Sequence, residues 1–396
     1  MSRLAALDLA PGDLVAVALP PGPGWMDLVR RIWDAGAALL PVDHRLPEPE
    51  VRRLLDRARP TVLLAADGPV RRPHGLPEEH GVALVVPTSG TAGEPKLVRF
   101  DRAGIDAAVA ASALALEATP QDPWLCCLPL GHVGGLLVLL RGVLLGAPVV
   151  VHPRFDLHAV ALERGVAFTS LVPTMLLRLL EAGVPLSGYR GVLVGGAHLA
   201  ADLRARAEAA GAPVVETYGL TEACGGIVYD GRPLPGCEVR VSDEGEIQLR
   251  GPTLMLGYRF DPEATAAAFT PDGWLRTGDA GELDAAGRLH VIGRADELIN
   301  TGGEKVWPQQ VEAVLAAHPK VAEVAVGGRL DPEWGERVVA WVVPVDPADP
   351  PTLAELRDAV AERLPRYAAP REMVLVEALP RTPLGKLRRS ALPAAE

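Results

Sequence analysis

Apolar and polar positions change rhythm in blocks along this chain. Residues 14–19 form an apolar run stopped by Pro20, Pro21 and Gly22, which predicts a buried strand. Residues 25–37 carry apolar side chains at helical spacing, and 38–42 turn strand-like again. A helix over 48–58 and strands over 61–65 and 82–86 follow. Next come a helix over 103–116, a strand over 124–128, a helix over 134–145 and a strand over 148–151. Short apolar strands at 191–194 and 213–217 flank a helix over 201–210. Strands alternating with helices predict an α/β fold with largely parallel strands.

The texture changes near residue 236. Stretches 239–241, 245–250 and 288–292 read as antiparallel strands joined by turns such as Asp243-Glu244-Gly245. The last hundred residues mix helices over 308–317 and 352–364 with strands over 321–327, 337–343 and 372–375. They read as a small α+β domain, with the boundary near 293–296. The most apolar region, 133–151, is split by Arg141 and broken by Gly142, Gly146 and Pro148. A membrane span needs about 20 apolar residues, so a buried helix plus strand is expected and no membrane span. The opening apolar stretch is interrupted by Asp8 and Asp13 and is too short for a signal peptide.

Composition narrows the function classes. The 396 residues suit two or three domains. Aromatics make up only 4%, so Ala, Val and Leu must build the core. With 39 basic and 50 acidic residues the net charge is −11, which argues against nucleic acid as a partner. Cys126, Cys127, Cys224 and Cys237 show no CxxC spacing. Neither a zinc site nor a disulfide framework is indicated, and a cytoplasmic location is expected. There are four lysines against 35 arginines. A point-charge ammonium is not interchangeable with a planar guanidinium, so each retained lysine draws notice.

The strongest local signal is Pro87-Thr88-Ser89-Gly90-Thr91-Ala92-Gly93-Glu94-Pro95-Lys96 after the strand 82–86. Glycines allow close backbone approach, and hydroxyls with backbone N–H groups can wrap an anion. The spacing is not that of a GxxxxGK[ST] loop. The string resembles the signature of adenylate-forming enzymes: acyl- and aryl-CoA synthetases, peptide-synthetase adenylation domains and luciferases. Further strings resemble that family's other motifs in order. They are YGLTE at 218–222, GWLRTGD at 273–279, GRADE at 293–297, TGGEKV at 301–306 and PRTPLGK at 380–386.

The resemblance implies a fold, cofactors and site residues. The fold would be a large N-terminal adenylation domain over 1–293, of parallel sheets with helices plus a small antiparallel subdomain. A hinge over 294–296 and a small mobile α+β domain over 297–396 would follow. ATP, magnesium and coenzyme A would be the cofactors. Thr88, Ser89, Gly90, Thr91, Gly93 and Lys96 would hold phosphates. Glu222 would bind magnesium, Thr221 the α-phosphate, and Lys386 would bridge carboxylate and α-phosphate oxygens. Gly195, Gly196, Ala197, Tyr218 and Gly219 would receive adenine, and Asp279 with Arg294 the ribose. Asp296 would be the hinge, with Gly302, Gly303 and Glu304 beside the thiol acceptor. Lys96, Lys305 and Lys386 all fall inside these motifs.

The acid pocket would lie near His132, Arg141, Gly225 and Gly226. His132 is read as a pocket gate, a carbonyl contact or a core histidine. Arg141 lies in an apolar stretch and should face solvent, an internal acid or a substrate carboxylate, because an unpaired buried cation is costly. Three strings, at 128–141, 225–236 and 293–312, resemble most closely a short branch of the family whose substrate carries a second carboxylate. Gly131 stands where a bulkier residue is common in the family. Only about 87 residues precede the phosphate loop, so a trimmed subdomain or a homodimer is expected. Competing readings are another aryl- or acyl-CoA synthetase, a stand-alone adenylation enzyme serving a carrier protein or an amine, and a non-catalytic nucleotide binder.

Overall fold

Leu14–Val17 is inaccessible along its whole length, as suits a strand covered on both faces. It lies next to the central strand of a seven-stranded sheet in a computed structural model that describes residues 8–88, 95–381 and 387–393. Ala38–Pro41 and Val62–Ala65 pair with it in parallel. Val82–Thr88 continues the parallel set beside Ala38–Pro41. The sheet is mixed rather than uniformly parallel. Lys96–Asp101 returns antiparallel to Val82–Thr88, Gly257–Tyr258 pairs antiparallel with it, and Gly68–Arg71 closes the other edge.

A second seven-stranded sheet runs Arg232–Pro233, Gly225–Tyr229, Val214–Leu220, Gly191–Gly195, Phe168–Leu171, Trp124–Cys126, Val149–Val151. Its last five strands are parallel and its first two antiparallel. Helices cover the sheets by apolar stripes. Trp25–Asp34 buries Trp25, Leu28, Val29 and Ile32, a helical spacing. Each such aliphatic side chain stabilises by ~1.5–3 kcal/mol. Val133–Leu144 is buried from Gly135 through Gly142, so the most apolar region is a core helix followed by a strand. Among the described residues no helix is long and apolar enough to cross a membrane.

Two compact units divide the chain. The first comprises Met1–Val239 and Leu249–Arg276, the second Arg240–Gln248 and Thr277–Glu396. This packing division falls before the expected hinge, because strand Leu275–Leu283 pairs with Leu289–Arg294. In the second unit a long hairpin, Val321–Asp331 with Gly335–Pro344, anchors a five-stranded sheet. Val338, Ala340 and Val342 pack with Val311, Leu315, Leu356 and Val360, while Val339 and Trp341 face Leu379. That is the two-residue alternation of a strand covered on both sides. Helix Leu353–Ala361 starts with a capping box made by Thr352 and Glu355.

Candidate functional site

Thr88 and Lys96 are cross-strand partners at the ends of the phosphate-loop string. Ser89, Gly90, Thr91, Gly93 and Lys386 lie outside the described residues. Lys96 is exposed, with Nζ 4.7 Å from the ring centroid of Tyr258. The Tyr258 hydroxyl donates to Glu222 Oε1 at 2.9 Å. Burial and then the neighbouring Glu222 carboxylate push the phenol's pKa well up, so it stays a donor. Tyr258 therefore joins two residues that the motifs name separately.

Thr221 opens the 3-10 turn Thr221–Ala223, and its carbonyl accepts from Cys224 N at 3.0 Å. Glu222 is half-buried on that turn, and among the described residues its Oε2 accepts no hydrogen bond. One open carboxylate oxygen suits magnesium, which keeps waters and is held by one or two carboxylates plus phosphates. No group of three or more metal-binding side chains exists among the described residues. The residues thus fit a metal that arrives with a nucleotide.

Gly195 and Thr217 are register partners where two parallel strands end. Ligands of open α/β sheets bind at such carboxyl ends. A Cβ on Gly195 would lie 2.2 Å from Thr217 Oγ1, and one on Gly219 would lie 1.8 Å from the Gly225 carbonyl oxygen. Gly196 and Ala197 follow, exposed, and Tyr218 stands half-buried before a bulge at Gly219. The structure brings these five residues to one end of the second sheet.

The expected acid pocket holds a buried cation. Arg141 is 2% exposed. Its Nη2 donates to Ser112 Oγ at 2.7 Å, and its guanidinium lies 4.1 Å from the centroid of Trp124. Ser112 in turn hydrogen-bonds the Tyr229 hydroxyl at 2.9 Å. Among the described residues Arg141 Nε has no hydrogen-bond partner and the guanidinium pairs with no carboxylate. Burial pulls its pKa down, opposed first by Tyr229. Two of the three expected environments, solvent and an internal acid, are thereby replaced by an aromatic face and a hydroxyl.

His132 precedes helix Val133–Leu144, and its side chain is 36% exposed, so it is not a core histidine. Its Nε2 lies 3.5 Å from Asp43 Oδ2. Asp43 is buried and takes bonds from Arg45 Nε at 2.9 Å and Nη2 at 2.6 Å. Burial alone would raise the Asp43 pKa, but Arg45 and His132 hold it well below the usual carboxylate range. A Cβ on Gly131 would sit 2.8 Å from the Asp43 backbone nitrogen. That contact favours glycine at this position. Gly225 and Gly226 meet Leu137 and the Tyr229 ring at 2.6 and 2.9 Å in the same sense. All four cysteines are free and buried. Burial pushes the Cys127 and Cys224 thiols up to about 12, so neither is a ready nucleophile.

In the second unit Asp279 and Arg294 are cross-strand partners, with Nη1 3.2 Å from Asp279 Oδ1. Arg294 Nε also donates to Asp296 Oδ1 at 3.1 Å. Asp296 is exposed on the 3-10 turn Ala295–Glu297. Gly302 and Gly303 form the two-residue tip between Ile299–Thr301 and Glu304–Val306, with φ of 62° and 85°. A tight hairpin demands such positive φ values at both positions. Glu304 is exposed beside that tip.

Residues 2–76 and 68–259 match the AMP-binding enzyme family, and residues 310–386 match the AMP-binding enzyme C-terminal domain. The chain belongs to the AMP-binding enzyme family. A probable 2-succinylbenzoate–CoA ligase of Mycobacterium tuberculosis is 43% identical over 324 residues, 78% of this chain and 84% of the relative. An o-succinylbenzoate CoA synthetase of Bacillus subtilis, solved with the acyl-adenylate intermediate OSB-AMP, superposes with a TM-score of 0.89 at 31% identity. That likeness covers all of this chain and 90% of the other. ATP-bound MatB from Rhodopseudomonas palustris also reaches a TM-score of 0.89, at 25% identity, over 99% of this chain and 90% of its own. Backbone likeness thus identifies the AMP-binding fold without choosing between these enzymes. The choice of acid must come from side chains.

Proposed function

We propose that this AMP-binding enzyme joins o-succinylbenzoate to coenzyme A through an acyl-adenylate. The observation that carries the substrate is Arg141. A buried guanidinium with no carboxylate partner among the described residues is an electrostatic demand that a substrate's second carboxylate would meet. The relatives from M. tuberculosis and B. subtilis support the same acid.

Activation begins when one carboxylate of the acid attacks the α-phosphorus of ATP and pyrophosphate leaves. Negative charge spreads over the phosphoryl oxygens, so prepositioned cations and donors lower the barrier. Lys96 and the loop from Thr88 hold the departing phosphates, and Thr221 donates to the α-phosphate. Magnesium, held by Glu222, would neutralise phosphate charge. Lys386 follows the charge as it moves from carboxylate to phosphate. Asp279 and Arg294 take the ribose, while His132 borders the acid. A turn about Asp296 then exchanges Lys386 for the Gly302–Glu304 tip, and the thiol of coenzyme A attacks the acyl carbon. AMP leaves and a thioester remains. The reaction belongs to menaquinone synthesis in the cytoplasm, and a homodimer is part of the same proposal. Sedimentation at monomer mass would remove the homodimer.

Pyrophosphate release is measured with each acid of a panel, with and without coenzyme A. Turnover of o-succinylbenzoate above the other acids, dependent on coenzyme A, is expected. Preference for a monocarboxylic acid would overturn the substrate. Adenylate without thioester would point to a carrier protein or an amine, and silence with every acid to a non-catalytic protein.

A further inference from the structure

The roles given to Lys96 and Glu222 leave open what holds the two in place. We infer that Tyr258 is the positioning residue for both, orienting the metal-binding carboxylate with its hydroxyl and the phosphate-loop lysine with its ring. The inference rests on reading Glu222 as the magnesium ligand.

Tyr258 has little freedom of its own. It lies on the edge strand Gly257–Tyr258 of the first sheet, in register with Val98 of the strand that Lys96 begins. Its side chain is buried, and its backbone N–H donates to Thr265 Oγ1 at 2.8 Å. Thr265 itself donates to the Asp261 carbonyl at 2.8 Å. The preceding glycine permits this approach, since a Cβ there would sit 2.5 Å from Thr265. Met255 N donates to the Glu222 carbonyl at 2.8 Å. The segment that carries Tyr258 is therefore tied to the turn that carries Glu222.

From that fixed place the side chain does two things. The hydroxyl donates to Glu222 Oε1 at 2.9 Å, which fixes the carboxylate plane and leaves Oε2 for a cation. The ring face lies 4.7 Å from Lys96 Nζ, where its negative quadrupole attracts the ammonium. Lys96 and Glu222 carry opposite charges, and a neutral phenol between them keeps each on its own task. Removal of such hydrogen-bonding partners of metal ligands weakens metal affinity ~10–100-fold. A phenylalanine keeps the ring and loses only the hydroxyl.

The test titrates manganese, a spin-active stand-in for magnesium, into full-length protein with ATP and no acid, and reads free ion by electron paramagnetic resonance. Wild type, Tyr258→Phe, Glu222→Gln and the double variant are compared, and ATP affinity is measured separately in EDTA. Tyr258→Phe is expected to weaken manganese binding about tenfold while ATP affinity in EDTA stays unchanged. The double variant should fall short of the sum of the two single losses. Tyr258→Leu should also weaken ATP in EDTA, because Lys96 loses its platform. Unchanged manganese affinity in Tyr258→Phe, with a loss in Glu222→Gln, would overturn the role of Tyr258 alone. No loss in Glu222→Gln would overturn the metal-ligand reading and this inference with it. Equal loss of ATP affinity in EDTA for Tyr258→Phe would show a site deformed rather than a hydroxyl removed, and would also overturn the inference.

Discussion

Replacing Arg141 by methionine should separate recognition from folding. In the empty enzyme the guanidinium gains a hydrogen bond to Ser112 and the face of Trp124. The charged hydrogen bond contributes ~1.5–3 kcal/mol and the desolvated cation–π contact ~2 kcal/mol. Against them stand the several kcal/mol it costs to take the ion out of water and ~1–3 kcal/mol for the unpartnered Nε. The two sides nearly cancel, so an apolar side chain of similar length should leave the empty enzyme as stable as before or more so. With substrate bound the balance differs. A second carboxylate would lose its buried partner, at ~3–5 kcal/mol. That is about two to three and a half powers of ten in kcat/KM. A monocarboxylate analogue has nothing to lose there. The assay is pyrophosphate release for both acids, beside a thermal melt of each protein. Equal loss with both acids would refute the carboxylate role. A large fall in Tm would show that Arg141 stabilises the fold.

Three further outcomes are expected. Lys386→Ala should abolish adenylate formation yet spare thioester formation from preformed adenylate; parallel loss in single-turnover assays of both steps would refute its role. Asp43→Asn should destabilise the fold at pH 7, because the Asp43 carboxyl is held below its ordinary pKa by Arg45 and His132 against the effect of burial. That stabilisation is complete above pH ~4 and is lost as pH falls through the depressed folded value, so the deficit in urea unfolding should shrink in acid; a deficit independent of pH would contradict it. Gly131→Ala should cost ~1–3 kcal/mol in the same assay, since its Cβ would meet the Asp43 backbone; wild-type stability would contradict the crowding.

Elements with strong local patterns were legible. The helix over 48–58 and the strand over 372–375 end where the structure ends them. Lys96–Asp101 has charged ends and adjacent apolar residues at 97 and 98, so its strand state comes from pairing with Val82–Thr88. Gly225–Tyr229 starts with two glycines, which weaken a strand pattern, and its strand state comes from pairing with Val214–Leu220. Leu275–Leu283 carries four polar side chains among its nine residues and is held by cross-strand partners. The site shows the same divide. Motif residues on one strand end or turn, such as Gly195 and Glu222, were visible as strings. Tyr258 was not, because sheet pairing carries it to Glu222 from 36 positions away. Asp43 likewise reaches His132 and Gly131 only through the fold. Arg141 was found as an oddity of sequence, but its neighbours Ser112, Trp124 and Tyr229 come from three separate elements.

The most direct measurement is a competition in one vessel. Purified enzyme receives Mg-ATP, coenzyme A and an equimolar mixture of o-succinylbenzoate with mono- and dicarboxylic analogues, and the thioesters are identified by mass at early times. The expected product is the o-succinylbenzoyl thioester in large excess over the others, with AMP and pyrophosphate formed in step with it. A mixture dominated by a thioester of a monocarboxylic acid would contradict the claim that the buried Arg141 selects a second carboxylate.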